Sequence, residues 1–308
     1  MRCLKFIATT LIITLWCLQL WACDQGVPKL SELELAGADF NWLPITRLRE
    51  LAPELRQSYM MAKPYPHAVI DNLFDPDLLH RLVERFPSPN QAKWQQFNDE
   101  KQVKLASNKD DAFDPLCRVF LYHLNSAPFL DFLSELTGIP GLIADSHFDG
   151  GGMHQIESGG KLAIHADFNR HPTTDLDRRL NVLLYLNENW REEYGGHFEL
   201  WDRSMRHCVK KVAPEFNRLV VFSTTDFSFH GHPDPLNCPA GTTRKSLALY
   251  YYTNGRPAAE LSGKHSTLFK ARPNEGFQRN EDKAWALARD LLPPALVRTL
   301  AKAKRRLS

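Results

Sequence analysis

The sequence predicts an α+β fold in which helices precede and follow an antiparallel β core built as a jelly roll. Between Leu142 and Asn254 the chain is a series of short apolar runs separated by turn residues, a spacing typical of a sandwich or barrel. The segments on either side repeat apolar residues every three or four positions, as amphipathic helices do. Strands grouped together, with helices grouped outside them, favour α+β over an alternating α/β fold.

The composition is that of an ordinary globular protein. The chain has 308 residues, of which 43% are hydrophobic and 24% are charged, enough for one large domain or two smaller ones. The formal net charge of +2 gives no electrostatic support for a nucleic-acid partner, and none is expected. No two cysteines are spaced as C-x-x-C, which argues against a zinc ribbon. Scattered buried thiols are a simpler expectation than a Cys208–Cys238 disulfide.

Residues 1–22 have the composition of a signal peptide or membrane anchor. Arg2 and Lys5 precede an uncharged apolar run from Phe6 to Ala22. The run is short for a spanning helix, which needs roughly 20 residues, and this favours an export signal. The letters LWAC also resemble a lipoprotein signal in which Cys23 would be lipidated. An uncleaved anchor, or a cytoplasmic protein whose start site is assigned too far upstream, are the alternatives. Localisation therefore stays open, with membrane association through the N-terminus as one expectation.

The N-terminal elements follow from periodicity and capping signals. A helical segment is predicted over residues 23–64, because ITRLRELAPELRQSYMM has apolar residues at helical spacing. The pattern of PHAVIDNLF then predicts a strand. DPDLLHRLVERF predicts a helix with Asp75 as N-cap and Pro76 at its first position. The polar residues 87–113 predict a loop. PLCRVFLYHLNSAPFLDFLSELTGI predicts two helices broken near Ser126–Pro128.

The β core is predicted from seven short segments: HFDGGGMHQIES, KLAIHADF, RRLNVLLYLNE, GGHFELWD, HCVKKVAPEF, NRLVVFSTT and KSLALYYYT. With the entry strand and the helices after it, they predict one domain over residues 65–255. Residues 256–308 predict a helical C-terminal extension that ends in a basic helix.

The segment LAIHADF carries the strongest chemical pattern. In a strand, His165 and Asp167 would share a face, about 6–7 Å apart along the backbone. These two side chains leave a metal ion incompletely ligated, so a third ligand is expected from a distant strand. VVFSTTDFSFHGHPDPL offers His230 after an apolar strand, with His232 as the alternative. Two histidines and one carboxylate are the facial triad of non-haem Fe(II) oxygenases.

A cation on a later strand completes the pattern. TTRKSLALYYYT places Arg244 at the start of a strand, with Lys245 beside it. An oxidase with a dicarboxylate co-substrate needs a fixed cation, and the planar guanidinium of arginine can bind a carboxylate through two hydrogen bonds. Lys245 is the second choice, because strand alternation puts it on the opposite face.

In this order the motifs resemble the Fe(II)/2-oxoglutarate-dependent dioxygenases, in particular their prolyl 4-hydroxylase-like branch. HADF matches the family's H-x-D, and FSFHGHPDP supplies the distal histidine. LNVLLYLNENW and GGHFELW match its aromatic-Leu-Asn strand and the Gly-Gly turn after it, and RKSLALYYY matches its Arg-x-Ser strand. The resemblance covers about residues 65–255 and implies a double-stranded β-helix (jelly-roll) core with N-terminal and C-terminal helices.

The resemblance also implies the roles of five residues. His165, Asp167 and His230 would bind Fe(II). Arg244 would hold the distal carboxylate of 2-oxoglutarate, with Tyr185 assisting. The implied cofactors are Fe(II) and 2-oxoglutarate, with ascorbate as a further reductant.

Several other histidines need a separate interpretation. Many relatives carry a second tyrosine about ten residues before H-x-D; here MHQIESGG leaves His154 or Gln155 in its place. His171 lies near the proposed site as a bystander or a substrate contact. His197 and His207 lie on strand-like segments and are expected to be structural.

The activity implied by the resemblance is hydroxylation of a substrate C–H bond, with 2-oxoglutarate converted to succinate and carbon dioxide. The partners are then molecular oxygen and a peptide or small molecule, with peptidyl-prolyl targets included. Residues 87–113 and 231–243 are candidates for the substrate walls. Two alternatives remain: a non-catalytic jelly-roll protein of the cell envelope that binds metal or ligand, and a zinc hydrolase, which would leave Arg244 without a role.

Overall fold

The computed structural model describes residues 41–91, 94–273 and 275. The predicted leader over residues 1–22 and the helices predicted beyond residue 280 lie outside these ranges. The described residues form four α-helices: α1 (Ile45–Met61), α2 (Pro76–Glu84), α3 (Pro115–Leu124) and α4 (Ala127–Thr137). Within this part of the chain no helix is long and apolar enough to cross a membrane.

Thirteen strands form one antiparallel sheet within the described residues. They are β1 (His67–Asp71), β2 (Gln95–Asn98), β3 (Gln102–Ser107), β4 (Ile143–Ala144), β5 (Gly152–Ile156), β6 (Lys161–Ala166), β7 (Asp177–Tyr185), β8 (Phe198–Trp201), β9 (Cys208–Val212), β10 (Arg218–Ser223), β11 (His230–His232), β12 (Arg244–Thr253) and β13 (Leu268–Phe269). The main path runs β1-β10-β7-β12-β5-β3-β6-β11-β8-β9, with β2 on β3, β4 on β12 and β13 on β6.

The sheet curls so that its two halves share one core. Tyr185 and Phe222, from β7 and β10, pack in one cluster with Phe198, Leu200 and Val212 from β8 and β9 at the far end of the path. Burial of these large apolar side chains is the main force that closes the curl, at roughly 1.5–3 kcal/mol for each. The predicted α+β class with a jelly-roll core is therefore confirmed.

The helices begin where the sequence predicts them. The Asp75 carboxylate accepts a hydrogen bond from the Asp77 amide at the start of α2, and Pro76 stands at the first helical position. The Asp114 carboxylate caps α3 in the same way by accepting from Leu116 N. α4 ends at Gly138, whose φ of +71° is the left-handed conformation that glycine adopts without strain.

The loop predicted over residues 87–113 is wrong in part, because β2 and β3 form a hairpin there. The Asp99 carboxylate stabilises the turn by accepting hydrogen bonds from the amides of Lys101 and Gln102. β3 then pairs with β5 and β6. The sequence did not predict these strands, because β2 is mostly exposed and lacks the apolar alternation of a half-buried strand.

Downstream of β12 the described residues contain a 3-10 turn, Ala258–Glu260, and the short strand β13. No α-helix occurs between residues 256 and 273, so this part of the predicted extension is not helical. β13 pairs with β6 directly beside the H-x-D motif, with Phe269 opposite His165.

Candidate active site

The fold brings His165, Asp167 and His230 together in a buried cluster. β6 and β11 pair so that His230 lies opposite His165, and Asp167 follows one residue after β6 ends. The Asp167 carboxylate lies 3.6 Å from His165 Nε2 and 3.4 Å from His230 Nε2. One ligand atom from each residue can be chosen so that all lie within 4.8 Å of one another.

The two imidazoles present the correct nitrogen for a metal ion. His165 Nδ1 lies 2.9 Å from the carbonyl of Ala163, and His230 Nδ1 lies 2.7 Å from that of Ser228. A carbonyl can only accept, so each Nδ1 carries the proton and each Nε2 keeps its lone pair for the cluster. Two Nε2 atoms and a carboxylate match the donor set of a non-haem Fe(II) site, and these residues fit such an ion.

Burial sets the protonation of His230 and makes the metal-free protein sensitive to acid. Burial lowers the pKa of His230 from 6.5 to about 3, so folding keeps this imidazole neutral while the unfolded chain takes up a proton. Acidification from about pH 7 to pH 5 should therefore remove about 2 kcal/mol of the free energy of unfolding through this one group. Urea unfolding of chelator-treated protein at several pH values measures the loss, which should be smaller in His230→Gln. Equal losses in both proteins would contradict the assignment.

Asp167 is held by two donors that the sequence did not reveal. Asn181 Nδ2 donates to Asp167 Oδ2 at 2.7 Å, and Arg178 Nη2 lies 3.1 Å from the same oxygen. Burial alone would raise the pKa of Asp167, but the Arg178 guanidinium outweighs it and holds the pKa well below its usual value. Asp167 is therefore a carboxylate with one oxygen engaged by the protein and the other free for a metal.

A β-bulge puts Arg178 in this position. Leu180 pairs with Tyr251 and Arg178 with Tyr252, which leaves Arg179 as an extra residue in β7. The bulge reverses the alternation of faces, so that Arg178 reaches the same cavity as Asn181. The Arg178 guanidinium is fully buried, with its carbon 3.5 Å from the centre of the Tyr250 ring.

We expect Asn181→Leu to weaken Fe(II) or Mn(II) binding by about 10- to 100-fold, the usual effect of losing a group that orients a metal ligand. The substitution changes no charge and removes one hydrogen bond to the ligand carboxylate. Metal titration followed by tryptophan fluorescence gives the affinity, and thermal unfolding in chelator shows whether the variant is folded. Unchanged affinity in a folded variant would mean that Asn181 does not position Asp167.

Arg244 and Tyr185 meet in the same cavity as the cluster. Arg244 Nε donates to the Gly196 carbonyl at 2.8 Å, and Arg244 Nη2 donates to the Tyr185 hydroxyl at 3.2 Å. Both side chains are buried, and burial lowers the pKa of Arg244. Within the described residues no carboxylate pairs with Arg244. A buried guanidinium of this kind is suited to a ligand carboxylate.

Gly196 makes room for this arginine. Its φ is +70°, and an added Cβ would lie 3.0 Å from Arg244 Cδ and 2.4 Å from Leu236 Cδ2. The second glycine of the Gly-Gly turn is thus required both by its backbone conformation and by the close approach of Arg244.

The structure separates several pairs of alternatives by position. His232 lines the same cavity as His230, but His230 is the one within reach of both His165 and Asp167. Lys245 turns away and donates to Thr243 Oγ1, whereas Arg244 lines the cavity. The roles of the metal and co-substrate residues stay predictions.

On β5, the side chains of His154 and Gln155 face opposite sides of the sheet. His154 lines the cavity, and its Nε2 has no hydrogen-bond partner among the described residues. Gln155 faces away, where its side chain donates to the Pro87 carbonyl and accepts from Thr243. Of these two residues, His154 is the one that lines the cavity.

His171 lies outside the cluster of His165, Asp167 and His230. Its Nε2 is 3.3 Å from Asp149 and 3.5 Å from Asp145, and its Nδ1 accepts hydrogen bonds from the amides of Thr173 and Thr174. It stabilises the loop after H-x-D and does not line the cavity. His197 pairs with Glu192, which fits the structural role expected for it.

The cavity around the cluster has a volume of about 260 Å³. Aromatic rings form much of its wall, from Phe97 on the hairpin, Phe168, Tyr250 and Phe269 on β13. The Phe269 ring lies 5.5 Å from the His165 ring, and Lys104 reaches over Phe97 at 5.1 Å. Phe269 and Lys104 could not be predicted as site residues from the sequence, because nothing local indicates that β3 and β13 flank β6.

Comparison with known proteins gives a family match over the residues of the site. Residues 151–252 match the family model described as the 2OG-Fe(II) oxygenase superfamily, and this range contains the whole cluster together with Arg244. This stretch of the chain is similar to the 2OG-Fe(II) oxygenase superfamily. The match implies Fe(II), 2-oxoglutarate and molecular oxygen, in agreement with the donor set of the cluster.

A curated relative is a prolyl hydroxylase by name. The chain is 25% identical over 195 residues to the prolyl 3-hydroxylase OGFOD1 of Mus musculus, an alignment that covers 61% of this chain and 33% of that protein. The chain thus spans about a third of the length of this curated relative.

One solved structure shows the same fold, and a second is similar. A prolyl hydroxylase from Trichoplax adhaerens, in complex with a hypoxia inducible factor oxygen degradation domain peptide fragment, aligns with a TM-score of 0.50 and 18% identity, covering 68% of this chain and 91% of that chain. A Pseudomonas putida prolyl-4-hydroxylase aligns with a TM-score of 0.47 and 16% identity, covering 66% of this chain and 100% of that chain.

Proposed function

We propose that this protein is an Fe(II)- and 2-oxoglutarate-dependent hydroxylase that converts 2-oxoglutarate to succinate and carbon dioxide. One observation carries the proposal: the His165, Asp167 and His230 cluster shares a cavity with a buried arginine that has no carboxylate partner among the described residues. A zinc hydrolase would use the same three ligands but would gain nothing from Arg244.

Different residues of the chain would bind the metal, the co-substrate and the substrate. Fe(II) held by His165, Asp167 and His230 would couple oxygen reduction to the oxidation of 2-oxoglutarate and of a C–H bond. Arg244 and the Tyr185 hydroxyl would hold the distal carboxylate of 2-oxoglutarate and so orient the other end towards the metal. The aromatic wall would exclude water from the reacting centre.

The substrate that we propose is a prolyl residue in a peptide. The support comes from the names of the relatives and from the cavity, whose aromatic wall is suited to a compact apolar ring. The hairpin formed by β2 and β3 supplies Gln95, Phe97, Gln102 and Lys104 to this cavity, as proposed for residues 87–113. The predicted wall over residues 231–243 contributes Gly231 and His232.

A succinate assay tests the proposal. Purified protein with Fe(II), ascorbate and 2-oxoglutarate should release succinate, and addition of prolyl peptides should increase the rate and add one oxygen to the peptide by mass. Zinc in place of iron should give no turnover. Retained Fe(II) and 2-oxoglutarate binding without succinate release would favour the non-catalytic binding protein. Stimulation by small molecules alone would exclude a peptide substrate.

A further inference from the structure

A second cavity of about 920 Å³ shares no lining residue with the active-site cavity. The ends of β7, β10 and β12 form one side of it, and the C-terminal end of α1 and the loop after α4 form the other. We call it the outer cleft. Its volume lies within the range of small-molecule sites, roughly 300–1,000 Å³.

Two buried arginines line the outer cleft. Arg179 is 9% exposed, and the Arg256 side chain is 3% exposed. Burial lowers the pKa of Arg256, and the charge of Arg179 lowers it further. Such a pair favours a negative group that can neutralise both charges.

The nearby acids supply only part of that neutralisation. Asp177 lies 3.9 Å from Arg256 Nε, beyond hydrogen-bond distance, and also pairs with Arg170 at 3.7 Å. Arg256 Nη2 is committed to the backbone carbonyls of Arg178 and Thr224. Arg256 Nε and the Thr224 hydroxyl are buried and have no hydrogen-bond partner among the described residues.

Glu260 shows that an oxyanion fits here. Its Oε2 lies 3.3 Å from Arg179 Nη2, but its side chain is 40% exposed and projects from the short 3-10 turn Ala258–Glu260. Glu260 is the half-exposed partner, and a ligand oxyanion in its place would keep the buried Arg179 paired, so the exchange costs little. Met60 and Ile143, both exposed, add an apolar rim on the opposite side.

We propose that the outer cleft binds a small oxyanion, a phosphate or carboxylate group, at Arg179 in the place that Glu260 occupies. The arginine donates two hydrogen bonds to the ligand, and the hydroxyl of Thr253, 3.4 Å from Arg179 Nη1, orients the guanidinium. Glu260 competes with the ligand and sets its affinity. This site uses no residue of the iron centre.

Calorimetric titration of the full chain with inorganic phosphate, and separately with succinate, tests the site and identifies the preferred oxyanion. Arg179→Gln should weaken binding by about 100-fold, because it removes two charge-assisted hydrogen bonds. Glu260→Gln should strengthen binding several-fold, because the competing carboxylate is gone. A general loss of positive charge would weaken binding equally in Arg191→Gln, which alters an exposed arginine paired with Glu193. Unchanged affinity in both variants, or no binding of either probe to Glu260→Gln, would overturn the proposal.

Two further variants fix the place of binding. Arg191→Gln removes an exposed arginine paired with Glu193 and should leave phosphate affinity unchanged. If Arg244→Gln abolishes phosphate binding while Arg179→Gln does not, the anion occupies the active-site cavity and the proposal fails. Glu260→Gln alters an exposed side chain, so it keeps the test decisive even if Arg179→Gln unfolds.

Discussion

Replacing Asp167 with alanine should lower Fe(II) affinity by more than about 100-fold and abolish 2-oxoglutarate turnover. Loss of an outer-sphere partner alone costs about 10- to 100-fold in metal affinity, and Asp167 supplies the anionic ligand itself. Two neutral imidazoles would remain, and they neutralise none of the metal charge. Anaerobic Fe(II) titration and the succinate assay measure the two losses.

Asp167→Ala needs a second variant as a control, because the Asp167 carboxylate also pairs with Arg178. Arg178 is fully buried, and removing the partner of a buried charge typically costs about 3–5 kcal/mol of stability. Asp167→Asn keeps the shape and an acceptor oxygen, so it should fold while still losing the iron. Asp175→Asn removes an exposed carboxylate that pairs with Lys264, and it should leave iron affinity unchanged. Iron-dependent turnover that survives in Asp167→Ala would refute the ligand assignment.

The parts of the site that could be predicted are those fixed by short spacing. H-x-D places two side chains on one face, although Asp167 lies one residue beyond the strand rather than within it. Arg244 begins a long apolar strand, and alternation on that strand turns Lys245 away. The helices could be predicted because their caps and breaks are local, as Asp75 and Gly138 show.

The parts that could not be predicted depend on bulges and on pairing between distant segments. A strict two-residue period along β7 would put Arg178 and Asn181 on different faces of the sheet. The extra residue in β7 changes this, so that Arg178 shares the face of Asn181 and Arg179 does not. β6 has a similar irregularity, since the register with β11 shifts between His230 and His232. The choice between His154 and Gln155 depends on which face of β5 meets the cavity, and only the pairing with β3 and β12 determines that.

Arg244→Gln should weaken 2-oxoglutarate binding by about 100-fold while leaving Fe(II) affinity nearly unchanged. Hydrogen bonds to charged groups contribute about 1.5–3 kcal/mol each, and two of them from one guanidinium account for a loss of this size. Arg244→Lys keeps the charge but not the planar donor pair, so it should fall between wild type and Arg244→Gln. Equilibrium titration of the Mn(II)-loaded protein with 2-oxoglutarate separates this binding from turnover.

The stability of the same variants distinguishes a co-substrate anchor from a structural arginine. Arg244 is buried with a carbonyl and a phenol as partners, and burial lowers its pKa, so the ligand-free protein bears the cost of an unneutralised charge. A structural arginine would make Arg244→Gln strongly destabilising without ligand. A co-substrate anchor should leave ligand-free stability within about 2 kcal/mol, the net worth of two ordinary hydrogen bonds, and should remove the stabilisation that 2-oxoglutarate gives to wild type. Lys245→Gln, altered one residue away on the opposite face, should keep that stabilisation; if it loses it instead, the anchor is Lys245.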